Sequence, residues 1–415
     1  MLQNNSIWRH RDLRIMLPAR AVSAFGDDLA LLVLTLLVYS RGNGPWSITG
    51  LLLCATVPVV VLAPVAGRVV DAVPFRPLAF TTGLWQAACC AGLALVDPLW
   101  AVYGLVVLLQ AGQVFANPVW QTLVPSIVEP EEVGRAVGLG QALSTIAAVA
   151  APAAAGLLVG TLGYGAPFWI DAATFLLLAA AATRIRTTRG RTVAPTADAA
   201  EPAGESFSLW RDSLLGPLMI GICALVLVGE VTNVVEVFLL RGTLGAGTLV
   251  FGFVAAALAA GVVVGSVLAG RHIPDAARAP RIAVAALVLG LLLAVAGLAP
   301  AIWVFAIAWG LLGIANGFVN VDASTLALNR TPESYRGRVM ASLNGVVRAS
   351  ALVAMLLGGL AGSLLGPRET FVAAGCAMAV VAVVLYRRLT TTPSAGSVRT
   401  GATPSAPPSE ASRPA

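Results

Sequence analysis

The sequence predicts an all-α membrane protein whose twelve transmembrane helices form two pseudo-symmetric six-helix bundles. Three observations carry that reading. Apolar runs of about twenty residues, each able to cross a hydrocarbon core ~30 Å thick, recur from Leu13 to Leu389. Arginine, which supplies all 26 basic residues, falls mostly in alternate gaps between those runs. The stretches before and after residue 200 also repeat one another at a nearly constant offset.

Composition agrees. Hydrophobic residues make up 58% of the chain and charged residues 11%, with a mean hydropathy of +0.86. A soluble globular protein carries about 25% charge, and a membrane β-barrel would show alternating strands of ~10 residues. The net charge of +6 does not point to nucleic acid, because the arginines flank apolar spans instead of gathering on one basic face. Cys54, Cys89, Cys90, Cys223 and Cys376 all fall inside spans, with neither metal-ligand spacing nor a disulfide framework. No cofactor is expected.

The spans follow in order. The N-terminal MLQNNSIWRHRDLR is basic, but the first run, 15–39, is too long for a signal-peptide core. No small-residue cleavage site follows it, so it is expected to remain as the first helix. The next runs are 47–70, 78–96, 100–124, 135–160 and 166–183. The gap 184–212 holds the polar, Ala-, Pro- and Ser-rich RTVAPTADAAEPAGESFS, the composition of a flexible linker. Six more runs lie at 214–240, 249–270, 281–299, 301–326, 339–365 and 370–388. The tail 389–415 is expected to be disordered for the same compositional reason. An N-terminal bundle over 1–183 and a C-terminal bundle over 213–388 result.

Twenty-one arginines, among them Arg9, Arg68, Arg135, Arg184, Arg271, Arg330 and Arg387, lie in one set of gaps. The opposite set holds only Arg41, Arg241 and Arg368. Arginine-rich short loops mark the cytoplasmic side, so both termini are expected in the cytoplasm of a bacterium, with the chain in its cytoplasmic (inner) membrane. Trp46, Trp100 and Trp303 then fall at the outer ends of spans, where amphipathic rings prefer the interface.

The internal repeat is visible in short matches. Trp210-Arg211-Asp212 echoes His10-Arg11-Asp12, and Arg241-Gly242 echoes Arg41-Gly42, both at an offset of 200. Gly270-Arg271 matches Gly67-Arg68 at 203, and Ala315-Asn316 matches Ala116-Asn117 at 199. Two parallel six-helix repeats are a transporter architecture.

These residues resemble the major facilitator superfamily over most of the chain, from Trp8 to Arg388. That superfamily carries Gly-x-x-x-Asp-x-x-x-x-Arg between its second and third helices, and Gly67, Asp71 and Arg76 stand at those positions here. The resemblance implies that Gly67 allows close helix approach, Asp71 makes charge contacts that gate the cytoplasmic side, and Arg76 anchors the loop. Pro74 departs from the pattern, which has Gly there. The stretches Ala21–Asp27, Phe168–Phe175 and Thr331–Met340 resemble the drug:proton antiporter branch that includes macrolide efflux proteins and the enterobactin exporter. Antiporters of the superfamily have a Gly- and Pro-rich fifth helix, and Ala148–Gly156 with Pro152 is the matching segment. It is open to two readings: a bend shaping the outer gate, or a well-packed small-residue helix.

An ionisable side chain near mid-bilayer costs about 2.5–3.5 kcal/mol on insertion scales and usually faces a cavity or a partner. The candidates for proton coupling are Asp27, Asp28, Glu230 and Asp322. Asp27 lies ~16 Å along its helix at 1.5 Å per residue, close to mid-depth. Glu230 has similar depth in the helix related to the first by the repeat. The alternative for each acid is a salt bridge, with Arg348 as the best neutraliser; Asp171 and Glu236, nearer helix ends, favour structural roles. Gln113, Asn117, Gln141, Asn233, Asn316, Asn320 and Arg348 are candidates to line the substrate path. Glu230 and Asn233 share a helix face, as do Asn316 and Asn320. Trp85, Trp120 and Trp309 are open to substrate stacking or to core and lipid contact.

The expected function is secondary active transport, a proton-coupled efflux of small hydrophobic or amphiphilic compounds by alternating access. Its partners would be a small-molecule substrate, protons and the lipid bilayer, with no nucleic acid, and the protein a monomer. Dedicated export of a siderophore or secondary metabolite is an alternative, and a non-transporting membrane scaffold or sensor is another. An enzyme is not expected, since no nucleophile–base pair, metal cluster or phosphate loop occurs and His10 and His272 both fall in cytoplasmic segments.

Overall fold

The computed structural model describes residues 7–41, 44–187, 215–271, 273–331 and 335–391. Twelve helices in it are long and apolar enough to cross a membrane. The first six are α1 (Arg11–Ser40), α2 (Pro45–Ala72), α3 (Phe75–Leu95), α4 (Leu99–Gln121), α5 (Pro130–Leu162) and α6 (Gly165–Arg184). The second six are α7 (Leu215–Val237), α8 (Thr248–Ala269), α9 (Asp275–Gly297), α10 (Ile302–Arg330), α11 (Arg336–Leu364) and α12 (Pro367–Thr391). Most of the expected linker and tail, and the Trp210-Arg211-Asp212 echo, lie outside the described residues. No strand occurs among those described.

Several helices run beyond their apolar stretch at the end where α1 begins and α12 finishes. α1 starts at Arg11, α5 at Pro130 and α9 at Asp275, each adding a charged or proline-led turn before the apolar run. The backbone continues as helix through these turns, and Pro130 at the first position of α5 favours its start. At the opposite, far end, the turns into α2 and α12 pair a glycine of positive φ with a following proline. Gly44 has φ 72° and Gly366 φ 94°, a conformation that residues with a Cβ rarely adopt.

The two halves pack by one plan. In the first, α1 lies on α5 and α6, α3 on α4 and α6, and α2 on α4. Moved on by six helices, the same pairs recur: α7 on α11 and α12, α9 on α10 and α12, and α8 on α10. Between halves, α5 packs on α8 and α2 on α11, and these two pairs also map onto each other. The internal repeat of the sequence is therefore a repeat of packing.

Contacts between halves cluster at the far end. The Thr49 hydroxyl donates to the Met355 carbonyl at 3.1 Å. A Cβ at Gly359 would touch Trp46 and Thr49, and one at Gly362 would touch Pro45. On the other side, Gly156 of α5 meets Thr248 and Gly252 of α8 backbone to backbone. The small-residue stretch of α5 thus serves close packing, and the helix it packs against belongs to the other half. Tyr39 and Phe238 add an edge-on ring contact at 5.2 Å. Followed along α2 and α11, the register that joins Pro45 to Gly362 leads from Gly67 towards Gly345, yet both of these face open space. The halves meet at one end and part at the other.

Candidate functional site

In the first half, buried carboxyls gather around α1. Gly26 has no side chain, and the space is taken by Asp171 of α6, whose Oδ1 would lie 2.3 Å from a Cβ there. Asp171 is fully buried. The Cys90 thiol donates to its Oδ2 at 3.2 Å, and the Thr174 hydroxyl to its Oδ1 at 3.1 Å. On the neighbouring residue, Asp27 Oδ2 accepts the Gln113 amide at 2.7 Å, and Gln113 Oε1 accepts that of Gln86 at 2.7 Å. Asp27, Asp171, Gln110 and Gln113 border one small cavity of about 50 Å³, room for one or two waters at ~30 Å³ each. Asp28, half-buried, follows on the same helix.

In the second half the corresponding space is a chamber of about 410 Å³. Glu230 and Asn233 of α7 face it, with the Asn233 amide donating to Glu230 Oε2 at 2.6 Å. Asn316 and Asn320 of α10 face it too, hydrogen-bonded to each other. Asn344, Ser324 and Thr232, outside the set of path residues drawn from the sequence, complete its polar lining, and Trp309 adds ring surface. Trp309 is buried in a ring cluster, 4.9 Å from Phe305 and 5.7 Å from Phe371. Its indole N–H lacks an acceptor in good hydrogen-bonding geometry, and the carboxylate it interacts with is Glu236.

Asp322 lies elsewhere. It is fully buried and paired with Arg278 at 2.9 Å and, through two nitrogens, with Arg281. Expected among the proton-coupling acids, Asp322 stands here in a buried ion triad that ties α10 to α9. Sequence spacing hid the pairing, since the arginines sit on a different helix from the acid. Asp322→Ala would remove the carboxylate that Arg278 and Arg281 share, and breaking a buried pair costs about 3–5 kcal/mol. A clear fall in detergent melting temperature is expected, and an unchanged melting curve would refute this role.

No described arginine forms an ion pair with Asp27, Asp171 or Glu230. Arg348, expected as a neutraliser, is exposed on α11, one turn from Asn344. Asn117 and Gln141 are also exposed. Trp85 donates its indole N–H to the Leu108 carbonyl at 2.8 Å, and Trp120 packs edge-on against Phe75 at 5.1 Å; both are held by the scaffold.

At the open end, Gly67 and Asp71 are exposed, and Asp71 has no ion-pair partner among the described residues. Arg76 reaches the end of α6, donating to the carbonyls of Ile185 at 2.9 Å and Arg186 at 3.2 Å. Asp12 accepts the backbone N–H groups of Arg186 and Thr187 at 3.0 and 2.7 Å. The same short segment is thus pinned from α1 and α3.

A sequence model of the Major Facilitator Superfamily matches residues 16–300 and, in a second overlapping match, 233–413. An uncharacterized MFS-type transporter, YfiS, of Bacillus subtilis (strain 168) is 24% identical over 391 residues, covering 90% of this chain and 92% of that protein. A bacterial homologue of the human lysosomal transporter Spinster, solved inward-facing and occupied, superposes with a TM-score of 0.73 at 15% identity, over 93% of this chain and 97% of that one. The nucleoside transporter NupG does so with a TM-score of 0.71 at 12% identity, over 91% of this chain and 99% of that one.

Proposed function

We propose that this chain, a multi-pass membrane transporter that belongs to the major facilitator superfamily, expels small hydrophobic or amphiphilic compounds in exchange for protons. It is a secondary transporter and not an enzyme. The observation that supports proton exchange is the pair Asp27 and Asp171, two carboxyls bordering one water-sized cavity without an ion-paired arginine. Ionisable groups that border a cavity inside a membrane mark proton relays, so a proton is a natural cargo for this pair. Asp28 would extend the site towards the cleft.

Alternating access supplies the cycle. With the arginine-rich end in the cytoplasm, contacts such as Gly156 with Gly252 and Thr49 with Met355 close the outer side. The exposed Gly67 and Asp71 belong to an inner side that is open. In this inward-facing state a compound enters from the cytoplasm or the inner leaflet, and a proton leaves.

Everted membrane vesicles with an acid interior test the reading. A panel of lipophilic dyes and antibiotics should include at least one compound taken up when the gradient is present and not when it is collapsed. Uptake that ignores the gradient across the whole panel would refute proton exchange.

A further inference from the structure

The two halves share a fold, but the cavity beside Asp27 and the chamber beside Glu230 differ about eightfold, about 50 Å³ against about 410 Å³. The smaller holds two carboxyls and no room for an organic molecule. The larger falls within the 300–1,000 Å³ of small-molecule pockets, which are mostly apolar with a few convergent polar groups. Its walls fit that description. Leu225, Leu258, Leu289 and Leu293 supply the apolar surface, while asparagines from α7, α10 and α11 supply hydrogen bonds. Glu230 is the sole charged residue among those lining it. No described arginine pairs with that carboxylate; its bond is to the neutral Asn233.

We propose that the chamber inside the second half is the substrate subsite, that it takes an amphiphilic monocation, and that Glu230 binds the positive charge. This rests on the transport reading above and divides the labour within it: proton on the first half, organic cation on the second. An anion placed beside Glu230 would meet an unscreened like charge. A neutral apolar molecule would leave the carboxylate and the asparagines without new partners, and buried polar groups left unpaired are unfavourable. A cation with an apolar body satisfies both sets of walls. Arg348 lies a turn from Asn344 but is not among the lining residues, so it does not cancel the negative charge of the chamber.

Equilibrium binding to the purified full-length protein in detergent tests this, with tetraphenylphosphonium as the cation and tetraphenylborate as an anion of matching shape. Wild type should bind the cation at least tenfold more tightly than the anion. Glu230→Gln should weaken the cation at least tenfold and remove most of that preference, whereas Glu230→Asp should retain part of it. Leu289→Trp, which fills the chamber, should weaken both ions and serves if Glu230→Gln does not fold. No cation binding, equal binding of the two ions, or cation binding untouched by both Glu230→Gln and Leu289→Trp would overturn the proposal. Charge-selective binding without gradient-driven uptake in vesicles would leave the subsite standing and remove the exchange. Driven uptake with binding indifferent to Glu230 would do the reverse.

Discussion

Gly252→Val is expected to yield a folded protein whose transport falls at least about fivefold. A Cβ at residue 252 would lie 2.3 Å from the carbonyl oxygen of Pro152, with the Gly156 Cα at 3.1 Å. Both obstacles are backbone, so no side chain can swing aside. The contact joins α8 to α5 across the two halves, and each half keeps its own packing when they part. Overpacking of this kind costs about 1–3 kcal/mol. Applied only to the state closed at the far end, it shifts the conformational equilibrium by roughly 5- to 150-fold. A cysteine at Thr49, buried in the second contact between halves, should then react faster with a membrane-impermeant thiol reagent added at the far side. Labelling and transport at wild-type rates would show that this contact is not a gate.

Asp171→Asn is expected to abolish gradient-driven uptake as fully as Asp27→Asn, while both variants keep gradient-independent exchange of substrate across the membrane. An amide retains the shape and one of the two acceptors that Cys90 and Thr174 use but cannot give up a proton. A residue that merely packed against Gly26 would tolerate the change in the driven assay. Retention of driven uptake in both single variants would remove the pair from the proton path. A loss of exchange equal to the loss of driven uptake would mean that the substitution damages the fold and not the coupling.

How much of this is legible in the chain follows from particular residues. The proximity of Glu230 to Asn233, and of Asn316 to Asn320, could be read from spacing, because i, i+3 and i, i+4 neighbours share a helix face. Asp171 could not be read so. Its depth near a helix end suggested a scaffold role, yet it fills the space left by Gly26, five helices earlier. The one local signal was a glycine beside an acid in α1, which marks close approach without naming the partner. Trp309 was one of three tryptophans with equal claims, and only its position in the fold separates it from Trp85 and Trp120.

Hydropathy and arginine spacing determined the number of crossings, their order, and which ends lie together, because each apolar run meets the bilayer's demand for self-satisfied backbone hydrogen bonds on its own. The repeat in the sequence determined that both halves would pack alike. The tertiary structure alone decided that Asp27 and Asp171 border one small cavity, that Asp322 meets Arg278 and Arg281, and that a chamber opens inside the second half. Those outcomes depend on helix rotation and on which small residues let backbones touch, and neither is a periodic property of a single segment.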